Sequence, residues 1–157
     1  MKKLILLLTV FTVLLSSCKK EEVTQVNQVD QAFSAVYNIA KGDWTTTDGG
    51  KIYTAQINVP ELDDIIYQNG AVLVYLSFPG TNYYEAVPQV FSGISYGVIH
   101  SNKYVAIDMS ALDGGTINPP TGSVMAKIIL IDATKLAMNK DVNLKNLGEV
   151  QKAFGIK

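Results

Sequence analysis

The chain has 157 residues, 48% hydrophobic and 17% charged, with 13 basic residues against 14 acidic ones. That length fits one folded domain, and the near-neutral charge excludes the basic face that a nucleic-acid binder needs to displace counterions from phosphates. Every basic residue is a lysine, so no guanidinium fork is present, and one cysteine with one histidine excludes an internal disulfide and any site built on several His or Cys ligands.

Met1-Lys2-Lys3 supplies a positive start, and Leu4 to Leu15 is an uncharged apolar run. The run suits a secretory signal and is short for a spanning helix, which wants roughly 20 apolar residues. It ends in Leu15-Ser16-Ser17-Cys18. A leucine three places before a cysteine, with two small residues between, resembles the lipobox of bacterial lipoproteins. The resemblance implies that 1–17 is a signal peptide removed in front of Cys18 and that Cys18 is acylated. An acylated Cys18 has no thiol left for nucleophilic, metal or disulfide chemistry. Several acyl chains hold a protein firmly to a membrane, since each buried CH₂ contributes about 0.8 kcal/mol. Lys19-Lys20-Glu21-Glu22 resembles the lysine-then-acids signal that sends lipoproteins of the Bacteroidota to the outside of the outer membrane. It implies lipid-anchored display at the cell surface, with a periplasm-facing location as the alternative. Residues 18–30 are polar and free of aromatics, the composition of a flexible tether.

Residues 31–157 form the expected folded domain, and period-two alternation dominates it. Phe33 to Ile39 is a first candidate strand. In Lys51 to Val59, Tyr53, Ala55, Ile57 and Val59 share one face while Thr54, Gln56 and Asn58 lie off it. Pro60 to Ile66 suits one short helical turn, with proline and acids at the favourable end. Ala71 to Phe78 is nearly continuously apolar, as expected of a central strand buried on both faces. Ile94 to Ile99 follows, and then Lys103 to Met109, where Val105, Ile107 and Met109 alternate with Tyr104, Ala106 and Asp108. Val124 to Ile131 is a second, nearly continuous apolar run, and Leu144, Leu147, Val150 and Phe154 recur at helical spacing. The breaks carry turn chemistry, among them Thr47-Asp48-Gly49-Gly50, Gln68-Asn69-Gly70 and Asp113-Gly114-Gly115. These elements predict an all-β fold, an antiparallel β-sandwich or squat barrel with a short C-terminal helix. Asn69 to Tyr75, Lys127 to Ile131 and the tail Val150 to Ile156, behind a lipobox, resemble small Bacteroidota lipoproteins with immunoglobulin-like or related sandwich domains. That group implies the fold and no catalytic residue.

Gly93-Ile94-Ser95-Tyr96-Gly97 fits the G-x-S-x-G elbow of a small hydrolase, but Val98-Ile99 continues a strand where the elbow needs a helix, and His100 follows with no acid between. His100 is expected at a solvent-facing strand end. Glu61, Asp63 and Asp64, and the turn residues Asp43, Asp48 and Asp113, lack the spacing of a calcium loop. No catalytic residue, metal site or cofactor is expected. Aromatics are the stronger signal: Trp44 lies in a polar stretch and Tyr83-Tyr84 follow the Pro79-Gly80-Thr81-Asn82 turn. Such rings either pack against the core and its ends or bind a ligand by stacking. The sequence therefore predicts a non-catalytic binding or structural module anchored to the membrane at Cys18. Its partner is an envelope protein or a glycan, the latter held through Trp44, Tyr83 and Tyr84, and nucleic acid is not among its partners.

Overall fold

A computed structural model describes residues 32–157. The expected signal peptide, the expected tether and Cys18 lie outside the described residues. The domain is an all-β sandwich of two antiparallel sheets. The four-stranded sheet has the order β1 (Phe33–Ile39), β9 (Val124–Ile131), β4 (Ala71–Ser77), β5 (Glu85–Val87). The five-stranded sheet runs β2 (Trp44–Thr45), β3 (Ile52–Asn58), β8 (Tyr104–Ala111), β7 (Ile94–Ser101), β6 (Gln89–Phe91). Three short helices complete it: α1 (Asp64–Asn69), α2 (Ala133–Met138) and α3 (Leu147–Phe154).

Alternation sorts each strand between the layers. Ala55 and Ile57 of β3, Val105, Ile107 and Met109 of β8, and Tyr96 of β7 point inward and are buried. They meet Val74 and Leu76 of β4 and Val124, Ala126, Ile128 and Leu130 of β9 in one core. The strands β4 and β9 are mostly apolar on their outward side as well, and the charged residue there, Lys127, is itself buried and donates to the Lys157 backbone oxygen at 2.9 Å. Tyr75, Ile129 and Ile131 pack under Val150 and Phe154 of α3 and beside Leu136, Val142 and Leu144. The C-terminal segment is therefore a third layer on the four-stranded sheet, and the two apolar runs in the sequence are the strands buried between two layers. Burying one such aliphatic side chain stabilises the fold by roughly 1.5–3 kcal/mol.

Capping fixes the helices. Asp63 accepts from the Ile66 amide at 2.8 Å, so α1 begins at Asp64 and not at Pro60. Asp132 accepts from the Thr134 amide at 2.8 Å and starts α2, which the apolar periodicity did not reveal. Asn146 caps α3, and Gly155 closes it at φ 66°, the left-handed region that favours glycine. On the far side, β5 leads through Pro88 directly into β6, so one short segment crosses from one sheet to the other.

Candidate functional site

The sequence-derived candidates do not gather in one place. Trp44 is only 5% exposed and belongs to the core between the sheets, opposite Ala55, with its indole N–H buried and without a hydrogen-bond partner. Both ring faces are taken up by packing. Tyr84 packs at the edge of the second core cluster beneath the C-terminal layer. Tyr83 is 49% exposed and is the member of the trio with its ring open to solvent. The expected three-ring platform is thus not assembled, because the alternation of β2 turns Trp44 inward.

The hydrolase-like motif is a hairpin. Ser92 at φ 50° and Gly93 at φ 78° are the two central residues between β6 and β7, the positive-φ pair of a two-residue turn whose twist matches the strands. Ser95 then lies on the outer face of β7, while His100, five residues on, falls on the opposite face. His100 is exposed and meets the Tyr67 ring edge-on at 5.9 Å.

Five of the six acidic candidates serve nearby polar groups, Asp63 as the cap of α1. Asp43 accepts from the Ala40 amide at 2.8 Å, Asp113 from the Gly115 amide at 2.9 Å, and Asp64 from the Asn102 side chain. Asp48 accepts from the Ile52 and Lys51 amides, each at 3.0 Å, and from the Thr46 hydroxyl at 2.9 Å. The Ile52 amide and then the Thr46 hydroxyl hold its carboxyl below the usual range, because they stabilise the charged form. Among the described residues no three His, Cys, Asp or Glu side chains cluster as metal ligands.

The structure brings together a different set of residues. Among the described residues no layer covers the outer face of the five-stranded sheet. Cross-strand register places Thr45, Thr54, Asp108 and Gly97 in one row, with Ile52, Ser110, Ser95 and Val90 on one side and Gln56, Ala106 and Ile99 on the other. Asp108 accepts from the Thr54 hydroxyl at 2.6 Å. On its other flank Gly97 offers no side chain, and the half-buried Asp108 lies in a patch of small residues. Ile52, Val90, Ile99 and Tyr104 rise around it, between 44% and 61% exposed. The Thr46–Gly50 turn, tied by its bonds to Asp48 and Thr46, walls one end and leaves a cleft of about 360 Å³ between Thr45–Asp48, Thr54 and Asp108.

Asp108 was not singled out by sequence, where it reads as an off-core strand position, and Gly97 was noted only as the last residue of the G-x-S-x-G match. The available signal was a run of Thr, Ser, Ala and Gly on the solvent side of three adjacent strands, beside isolated isoleucines. No family model, curated protein or solved structure matches the chain.

Proposed function

We propose that the chain is a lipid-anchored, non-catalytic module of the bacterial envelope that recognises a partner protein through the open face of its five-stranded sheet. The observation that carries the reading is the asymmetry of the two sheets: one outer face lies under the C-terminal layer, and the other exposes apolar side chains around the half-buried carboxylate of Asp108. A protein surface with complementary apolar contacts and one lysine or arginine aimed at Asp108 satisfies that pattern. The lipobox at Cys18 and the Lys19-Lys20-Glu21-Glu22 signal support anchoring in the outer membrane with the domain facing outward. No helix among the described residues is long and apolar enough to cross a membrane, so in this reading the acylated cysteine is the membrane attachment.

The test combines two measurements on the full-length chain in cells. A metabolic acyl label should enter the wild-type protein and be lost with Cys18→Ala, which should also move the protein out of the membrane fraction. A photo-crosslinking residue at position 99 should trap one discrete partner, with the yield falling sharply in Asp108→Asn. Unchanged label in Cys18→Ala contradicts the anchor, and a yield indifferent to Asp108 contradicts the recognition face. Binding to a glycan array by a chain that shows no protein crosslink would favour the sugar-binding alternative instead.

A further inference from the structure

The sandwich has four strand edges among its described residues, and three are short. The strand β2 has two residues, while β5 and β6 have three each. Short edges are one of the devices by which sheets avoid pairing with foreign strands, beside charges, prolines and bulges. The fourth edge, β1, uses none of them. It is seven residues long, Phe33-Ser34-Ala35-Val36-Tyr37-Asn38-Ile39, without a charge or a proline. Its register against β9 runs unbroken from Phe33↔Leu130 to Ile39↔Val124, so no bulge twists it away. Val36, at its midpoint, is 46% exposed.

We infer that β1 pairs antiparallel with β1 of a second copy of this chain about a two-fold axis at Val36, joining the two four-stranded sheets into one of eight strands. The sequence of the strand is complementary to its own reverse in this register. Phe33 falls opposite Ile39 and Ala35 opposite Tyr37 on the core side, while Ser34 meets Asn38 and Val36 meets Val36 on the outer side. Every pair is apolar with apolar or polar with polar, and no like charges meet. A seven-residue antiparallel pairing adds about six backbone hydrogen bonds and satisfies an edge with which no other described strand pairs. A cleft of about 490 Å³ lies between β1 and β3 on this side, lined by Tyr37, Ile39, Thr45 and Ile57, and gives room for the inward side chains of the added strand. The pairing is isologous, closes on itself and leaves no second β1 edge for further growth. It is independent of the partner surface on the other sheet, which stays open in both copies.

The test is made on the full-length chain in membranes. Oxidation of Val36→Cys should give a covalent dimer, which neither Ile99→Cys nor the wild type, with Cys18 as its one cysteine, should form. In mild detergent, light scattering should give twice the chain mass for the wild type. Val36→Glu should raise the dissociation constant by about tenfold or more, because like charges then stand directly opposed; its circular dichroism should match the wild type. A monomeric wild type overturns the inference, as does dimer formation by Val36→Cys no greater than by Ile99→Cys. Crosslinking of position 36 only to another protein, or only to the chain's own N-terminal segment, overturns it equally.

Discussion

At the scale of single residues, two tyrosine and tryptophan positions show how burial converts an apparent binding group into a structural one. Trp44 fills the core beside Ala55, so Trp44→Ala should cost about 3–5 kcal/mol, visible as a large drop in the urea midpoint. Loss of ligand binding in that variant would report unfolding, and Tyr83→Ala is the cleaner probe of a loop aromatic. Tyr75 is fully buried and donates to the Leu144 carbonyl at 2.7 Å, tying β4 to the C-terminal layer. Burial pushes its pKa from 10.0 up to about 12. A folded pKa above the unfolded one means that this stabilisation is complete below pH 10 and is lost as pH rises toward 12. The loss is on the order of 2–3 kcal/mol. Tyr75→Phe should remove that part of the alkaline destabilisation, measured as thermal midpoint against pH over that window. Asp48 works in the opposite sense. Its folded pKa lies below 3.8, so its contribution is present above that value and disappears as pH falls through the lowered one. Asp48→Asn should flatten the acid side of the same curve.

At the scale of elements, legibility followed length and periodicity. The strands β3, β4, β8 and β9 were visible because seven or eight residues carry a clear alternation or a nearly continuous apolar run. The strands β2, β5 and β6 were not, since two or three residues have no period, and this is why Trp44 looked like part of a polar loop. The start of α1 moved because Asp63 competes better for the helix N-terminus than Pro60 does, through the bond to the Ile66 amide. Gly70 illustrates a constraint that no pattern announces. A Cβ there would sit 2.5 Å from the Ile131 carbonyl oxygen and 2.9 Å from that of Ile66, both backbone atoms. Gly70→Ala should therefore destabilise by about 1–3 kcal/mol as the junction of α1 and β4 is forced apart, a shift that chemical denaturation resolves.

At the scale of the molecule, the decisive property is which faces are covered. Sequence separates core positions from off-core ones, but it does not say whether another layer lies over the off-core side. For β4 and β9 the outward Tyr75, Ile129 and Ile131 gave a hint of the third layer, and the amphipathic tail supplied it. For β3, β7 and β8 most outward residues are small or polar, with Ile52, Ile99 and Tyr104 among them, which fits either plain solvent or a docking surface, and only the register showed that Asp108 stands beside a glycine. Gly97 separates those two possibilities. It has no positive φ to protect, and a Cβ there would meet nothing closer than the Asp108 Cβ at 3.9 Å. A threonine at this strand position suits the pleated backbone better than glycine, by up to about 1 kcal/mol, while covering the carboxylate. The most direct measurement is thus the yield of partner crosslinked at position 99 in cells carrying Gly97→Thr, beside the thermal midpoint of the same variant. The account predicts an unchanged or higher midpoint and a crosslink that is lost; a stable variant that captures its partner as well as the wild type does would contradict it.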